Sequence, residues 1–141
     1  MSVALTKVDK FVLNIGSKVF NLTSDQIKVA LTNTLPTAAT SNQYSDLTSP
    51  LATTNLNGAT PFNVTTTSYT QTTGTAKLIL ADLTLTATGA VGPFRYIVLY
   101  SDTATNDEVI GFYDYASSVT LAAGDTFTID FDGSAGVLTI A

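Results

Sequence analysis

The chain has 141 residues, no cysteine, histidine or tryptophan, and only 12% charged residues. Without cysteine there is no disulfide framework and no thiolate nucleophile, and without histidine the commonest general base and metal ligand is missing. The net charge of −5, with six basic residues scattered along the chain, argues against nucleic-acid binding and against attraction to an anionic membrane surface. A hydrophobic share of 45% with so few charges favours one domain that self-associates or joins a larger assembly.

The sequence pattern favours neither secretion nor membrane insertion. Residues 1–7 lack the apolar core of a signal peptide. The longest apolar runs, such as residues 96–100, are far too short to span a bilayer. We therefore expect folding in a cytoplasm and no membrane partner.

The first regular segment, residues 10–20, fits two interpretations. Its apolar residues at odd positions lie on one face of a strand, but Phe11, Ile15 and Val19 also follow a helical spacing. Gly16 disfavours a stable helix, because glycine lowers helix propensity. Both interpretations stay open on sequence grounds.

The next segment, residues 25–32, alternates between apolar and polar side chains. This period of two predicts a strand with one face toward the core. Lys28 and Thr32 are expected to point outward. The inward side chains are expected to be Ile27, Val29 and Leu31.

Residues 33–61 show no periodicity and are rich in Thr, Ser, Asn and Pro. A connection this long is unusual inside a compact domain and is commonly functional or disordered. We expect either a long surface loop with a short helical turn near residues 45–47, or an arm that packs onto a neighbouring subunit. The candidate interaction residues are the isolated apolar and aromatic side chains of this arm: Leu35, Tyr44, Leu47, Leu51 and Leu56.

Short alternating segments separated by turn residues dominate the rest of the chain. Residues 94–100 are apolar or aromatic except for Arg95, which predicts a strand covered on both faces. Residues 126–131 alternate as a half-buried strand does, and Thr73-Gly74 predicts a hairpin turn. With no helical block between the strands, the fold class is all-β. We predict a single domain over residues 1–141, an antiparallel β-sandwich or jelly roll of about eight strands, with 33–61 as a long irregular arm.

Carboxylates are the main chemical groups that the sequence offers, and they do not form a convincing site. Asp130-x-Asp132-Gly133 has part of a calcium-loop pattern but lacks the other spaced oxygen ligands, so a turn is favoured. The cluster of Asp102, Asp107 and Glu108 has the residue type of a glycosidase pair, but no surrounding apolar pocket is evident that would raise one pKa. We therefore predict no enzyme activity, no metal and no cofactor.

Several aromatic residues and the single arginine allow two interpretations each. The aromatic rings either stack on sugars or pack across strands, and packing is favoured. Arg95 either faces outward at a strand start or forms a buried or interfacial pair with a carboxylate such as Asp114 or Asp82, and the outward position is favoured. The aromatic residues concerned are Tyr96, Tyr100, Phe112, Tyr113 and Tyr115.

Several strand and turn segments resemble those of a family of small proteins from tailed bacteriophages and prophages, commonly encoded near the capsid genes. The chain departs from the family pattern at Ser101, where Asn is usual, and in having no tryptophan. The resemblance covers most of the chain outside the arm. The segments that carry it are Ser24–Thr34, Phe94–Thr103, Val109–Tyr115, Gly124–Phe127 and Gly136–Thr139.

This resemblance implies a virion structural protein. Together with the low charge and the arm, it leads us to expect a capsid decoration or cement protein that binds the major capsid protein and forms a homo-oligomer. Such a protein would be assembled in the host cytoplasm and located on the capsid surface of the virion. The alternative is a host-recognition or carbohydrate-binding module on a head fibre or tail.

Overall fold

The computed structural model describes residues 3–141 and shows an all-β sandwich. The sequence predicted about eight strands, and the structure has ten in the described part of the chain. The additional strands are short pieces of two or three residues. The elements are β1 (Thr6–Lys7), α1 (Phe11–Gly16), β2 (Ile27–Thr32), a 3-10 helix (Tyr44–Asp46), β3 (Asn63–Val64), β4 (Thr66–Thr72), β5 (Thr75–Leu80), β6 (Leu83–Thr86), β7 (Val91–Ser101), β8 (Val109–Leu121), β9 (Thr126–Ile129) and β10 (Leu138–Ile140).

The larger sheet has five antiparallel strands in the order β1-β8-β7-β2-β3. Strand β7 lies at its centre, and residues 96–101 are buried on both faces, as the apolar composition predicts. Arg95 is the partly exposed exception near the start of this run. A central strand of a covered sheet has no solvent face, so its polar positions are few.

Strand β2 follows the predicted alternation only in part. Ile27, Val29 and Leu31 are fully buried, as predicted. Thr32 was expected to point outward, and this was wrong: it is fully buried, and its hydroxyl donates to the Thr48 carbonyl at 2.6 Å. The arm covers the end of β2, and a buried hydroxyl is tolerated when it has such an acceptor.

The second layer consists of a three-stranded sheet, β10-β5-β4, and a two-stranded sheet, β6-β9. The β4–β5 hairpin turns at Thr73 and Gly74, both with positive φ (54° and 82°), which confirms the predicted turn. In β9, Phe127 and Ile129 are buried between exposed threonines, so the predicted half-buried strand is also confirmed. Phe131 continues the alternation just beyond the strand.

The core lies between the layers and includes residues from all three sheets. The rings of Phe94 on β7 and Phe127 on β9 meet edge to face, with centroids 5.2 Å apart. Tyr113 on β8 and Phe131 form a second contact across the layers, at 6.2 Å. Such aromatic pairs contribute about 0.5–1.5 kcal/mol beyond the burial of their area.

Residues 10–20 contain a helix, so the helical interpretation is confirmed for residues 11–16. Phe11 and Asn14, three positions apart, face the protein and are buried. Gly16 is the last helical residue, so its low propensity does not interrupt the helix, and Lys18, with a φ of 60°, follows the helix end. After the helix, the Phe20 side chain packs in the core, with its ring centroid 5.7 Å from that of Phe11.

Candidate interaction site

The five residues predicted for interaction occupy different environments. Leu47 and Leu56 are buried in the core of the chain itself, with 9% and 6% exposure. Tyr44 and Leu51 are partly buried and pack against the same core. Leu35 alone among the five is largely exposed, at 61%. Contact with a partner stays a prediction for all five, but in the isolated chain only Leu35 presents most of its surface to solvent.

Backbone hydrogen bonds hold the arm against the domain. The Leu51 N–H donates to the Leu31 carbonyl at 2.8 Å, and the Asn57 N–H donates to the Thr86 carbonyl at 2.9 Å. An isolated β-bridge joins Gln43 to Glu108. The arm thus contacts both the larger sheet and the two-stranded sheet, and part of the core depends on it.

A short helical turn in the arm lies where the sequence predicts one. The 3-10 helix covers Tyr44–Asp46, one residue earlier than expected. A capping box stabilises it: the Asp46 carboxylate accepts from the Gln43 N–H at 3.1 Å, while the Gln43 side chain caps the first turn. Tyr44 is the first residue of this 3-10 helix.

Three exposed aliphatic side chains, Val12, Leu13 and Leu35, form what we call the exposed apolar set. Val12 and Leu13 lie on the solvent side of α1, with 71% and 62% of their surface exposed. The segment before α1 is joined to the start of the arm by a hydrogen bond from the Asp9 N–H to the Ala38 carbonyl, at 2.9 Å. The set therefore lies on two segments that this hydrogen bond connects.

The sequence contained a signal for the two helical members of this set. Phe11, Ile15 and Val19 share one helical face, and a helix with that face inward must turn the apolar residues between them toward solvent. Val12 and Leu13 are those residues. The strand interpretation instead places Leu13 inward beside Phe11, which concealed the exposed pair.

A second feature is a cleft of ≈ 320 Å³ beside the arm, which we call the tyrosine cleft. The rings of Tyr44 and Tyr100 line it, with centroids 5.0 Å apart. Lys28 also lines it, and its Nζ lies 3.3 Å from an Asp102 carboxylate oxygen. Asn63 is another lining residue, and its Oδ1 is a buried acceptor with no hydrogen-bond partner among residues 3–141.

Burial raises the pKa values of the groups near this cleft. Burial, then the neighbouring Tyr44, Asp102 and Asp107, raise the pKa of Tyr100 to about 12. Burial first and Asp107 second also raise the pKa of Tyr44. The pKa of the Asp107 carboxyl is raised by burial and by the charge of Asp102, although Lys28 opposes this. Both phenols are neutral at physiological pH and can donate hydrogen bonds.

Two further acidic residues, Asp132 and Glu108, accept hydrogen bonds within local turns. The Asp132 carboxylate accepts from the backbone N–H groups of Ser134 and Ala135, both at 2.8 Å, in agreement with the turn interpretation. Glu108 accepts from the backbone and the side chain of Asn106 at 3.1 Å. Within residues 3–141 no group of three or more acidic side chains is placed to hold a metal ion. A carboxylate that accepts hydrogen bonds from the backbone of its own turn stabilises that turn.

Most of the aromatic side chains considered for sugar stacking are inside the protein. Tyr96, Tyr100, Phe112 and Tyr113 have between 4% and 8% of their surface exposed. Tyr115 is 39% exposed, but its ring packs against Phe127 with centroids 5.1 Å apart. The packing interpretation therefore holds for this group, and the rings have little free face to offer a sugar.

The described residues 3–141 also include no helix long and apolar enough to cross a membrane. The features considered below for partner binding are the exposed apolar set, the tyrosine cleft and the edge of a sheet. No protein-family model, curated protein or solved structure matches this chain.

Proposed function

We propose that this protein is a structural protein of a bacteriophage virion that decorates the capsid by binding the major capsid protein. The observation that carries the proposal is the exposed apolar set. Val12, Leu13 and Leu35 are more than 60% exposed in a chain with few charges. Exposed apolar side chains of this size are common at protein–protein contacts. The resemblance of the strand and turn segments to small phage proteins points in the same direction.

The energetics of such a contact are favourable when it is repeated over a lattice. Complete burial of an exposed aliphatic side chain contributes roughly 1.5–3 kcal/mol. Three side chains supply a modest interface, which suits a protein present in many copies on a repeating surface. Self-association of the decorating protein then adds avidity, because linked copies bind a lattice more tightly than single ones. A homo-oligomer on the capsid surface of the virion, assembled in the host cytoplasm, is therefore part of the proposal.

The test is binding of the purified protein to capsids that lack it. The variant Val12→Ser/Leu13→Ser/Leu35→Ser removes the apolar surface at exposed positions, so its melting temperature should remain close to that of the wild type. We expect its affinity for capsids to fall by at least about tenfold, which corresponds to ~1.4 kcal/mol.

Val3→Ser is the matched control. Val3 is another exposed aliphatic residue, at 41%, and it lies outside the set. Its substitution should leave capsid binding unchanged. If the triple variant binds capsids as tightly as the wild type, the exposed apolar set is not the attachment surface. If the wild type does not bind capsids, the proposed function is wrong.

A second candidate function is carbohydrate binding, as a host-recognition module on a head fibre or tail. The tyrosine cleft favours it, because Tyr44 offers a partly exposed ring and Lys28 offers a charged donor. Sugars are bound by this combination of a ring face and hydrogen-bonding groups. Titration with glycans should then show binding that Tyr44→Ala abolishes and that the triple variant retains. Absence of glycan binding by the wild type would remove this candidate.

A further inference from the structure

The edge of strand β4 differs from the other sheet edges of the described chain. At seven residues, Thr66–Thr72, it is the longest of the edge strands, since β1 and β3 have two residues, β10 has three, and β6 and β9 have four each. Its residues are exposed or partly exposed on both faces. Long open edges normally carry a protective feature, such as a lysine, a proline or a covering loop.

Strand β4 has neither a charge nor a proline. Residues 47–76 contain no Asp, Glu, Lys or Arg at all, which includes the whole of β4 and its hairpin turn. The nearest charged residue along the hairpin is Lys77 on β5, and its Nζ donates to the Ser134 carbonyl at 2.8 Å. Ser134 precedes β10, which pairs with the other side of β5, so this charge is directed away from the β4 edge.

The register of the hairpin identifies the free backbone groups. β4 pairs with β5 through Thr72↔Thr75, Thr70↔Lys77 and Ser68↔Ile79. Residues that flank a two-residue loop exchange hydrogen bonds, and along an antiparallel pair such residues alternate with outward-facing ones. The N–H and C=O groups of Thr70 and Thr72 therefore face β5, and those of Tyr69 and Gln71 face the open edge. Within residues 3–141 no hydrogen bond joins the Tyr69 or Gln71 backbone to another segment.

We propose that β4 pairs with β4 of a second copy of this chain, antiparallel across a two-fold axis, so that two three-stranded sheets become one six-stranded sheet. A two-fold contact requires a self-complementary surface, and an antiparallel strand is complementary to itself. The two copies of β4 can be aligned with Tyr69 or Gln71 of one copy opposite Tyr69 or Gln71 of the other. In each such register, the β4 side chains that lie opposite one another are those of Thr, Ser, Gln or Tyr. Because each copy carries a net charge of −5, a charge-free surface is where two copies meet with least repulsion.

This inference rests on the self-association included in the proposed function, but its test needs no capsid. Thr70 is exposed and lies between Tyr69 and Gln71, so its side chain is near the proposed axis. Thr70→Lys and Thr70→Asp each place like charges against each other in a homodimer, so each variant should sediment as a monomer at concentrations where the wild type is dimeric. An equimolar mixture of the two should form a dimer again, because the charges are then opposite. Thr126→Lys, an exposed threonine on edge strand β9, is the matched control and should remain dimeric.

Amide exchange of the wild type provides a readout that needs no variant. The N–H groups of Tyr69 and Gln71 should become protected as the protein concentration rises, whereas the N–H of Thr70 should be protected at all concentrations by β5. A wild type that stays monomeric overturns the proposal. A dimer in which the Tyr69 and Gln71 amides exchange freely also overturns the proposal. A dimer that persists in the Thr70→Lys and Thr70→Asp variants overturns it as well. Capsid binding measured on the same variants separates the two hypotheses, since a monomer that still binds capsids refutes only the strand pairing.

Discussion

The guanidinium of Arg95 and the carboxylate of Asp114 form a bidentate ion pair across β7 and β8, with nitrogen–oxygen distances of 2.7 and 3.0 Å. Both side chains remain more than a third exposed. The same carboxylate accepts from the Ala116 N–H at 2.8 Å, where Ala116 has a φ of 71° within an irregular stretch of β8. The pair therefore joins an outward-facing Arg95 to a bulged segment of the neighbouring strand. The two interpretations of Arg95 are thus both partly correct.

This ion pair predicts an acid-dependent contribution to stability. The hydrogen bond from Arg95, followed by that from the Ala116 N–H, lowers the pKa of Asp114 below its ordinary value of 3.8. A carboxyl with a lowered folded pKa stabilises the protein above its unfolded pKa, and this stabilisation is lost as the pH falls through the folded pKa. Wild type should therefore lose more stability than Asp114→Asn as the pH drops below 3.8, in thermal melts at low salt. Because the pair is exposed, the difference should be small and should shrink with salt. Equal acid sensitivity of the two proteins would contradict this assignment.

Tyr100 predicts a loss of stability at alkaline pH. Its pKa is raised to about 12 from an ordinary value of 10.0, so the folded state favours the neutral phenol. The resulting stabilisation is complete below pH 10 and is lost as the pH rises toward 12, because the unfolded phenol ionises first. Tyr100→Phe should flatten the decline of the unfolding free energy across this range, measured by denaturant titration. A decline as steep as that of the wild type would show that Tyr100 does not contribute.

Gly111 allows the N-terminal strand to pair with β8. A Cβ at this position would lie 2.5 Å from the Thr6 carbonyl oxygen and 3.1 Å from the Lys7 Cα. Gly111→Ala should therefore displace β1, destabilise the protein by about 1–3 kcal/mol and speed amide exchange in β1. Gly133→Ala is the matched control, since nothing lies within 4 Å of its added Cβ. Equal stability of the two variants would mean that β1 contributes little to the fold.

The arm predicts opposite outcomes for two of its leucines. Leu47 is buried, so Leu47→Ala should cost about 2–5 kcal/mol of unfolding free energy. Leu35 is 61% exposed, so Leu35→Ala should change stability by less than about 0.5 kcal/mol. Chemical denaturation of both variants measures the difference. A comparable loss in both would show that the start of the arm packs more tightly than its exposure indicates.

Local patterns in the sequence were sufficient to predict most of the sandwich. The alternation at Phe127 and Ile129 identifies the buried face of β9, because successive side chains of a strand point to opposite faces. Thr73-Gly74 identifies a hairpin because the two-residue turn needs positive φ. Both features depend on residues that are neighbours in the chain, so no knowledge of distant segments is required. For the candidate site the same reasoning found Leu35 but missed Val12 and Leu13, whose exposure depends on the choice between strand and helix.

By itself the sequence determined that this protein is an all-β sandwich with an irregular arm, since short-range periodicity and turn chemistry specify which face of each strand is apolar. The tertiary structure alone decided which distant groups meet. Thr32 is buried because the arm supplies the Thr48 carbonyl, sixteen residues away, as its acceptor. Leu47 and Leu56 pack inward, while Leu35 remains outside. The local sequence pattern does not encode these outcomes. Each depends on whether a segment distant in sequence covers the side chain and, for Thr32, supplies a hydrogen-bond acceptor.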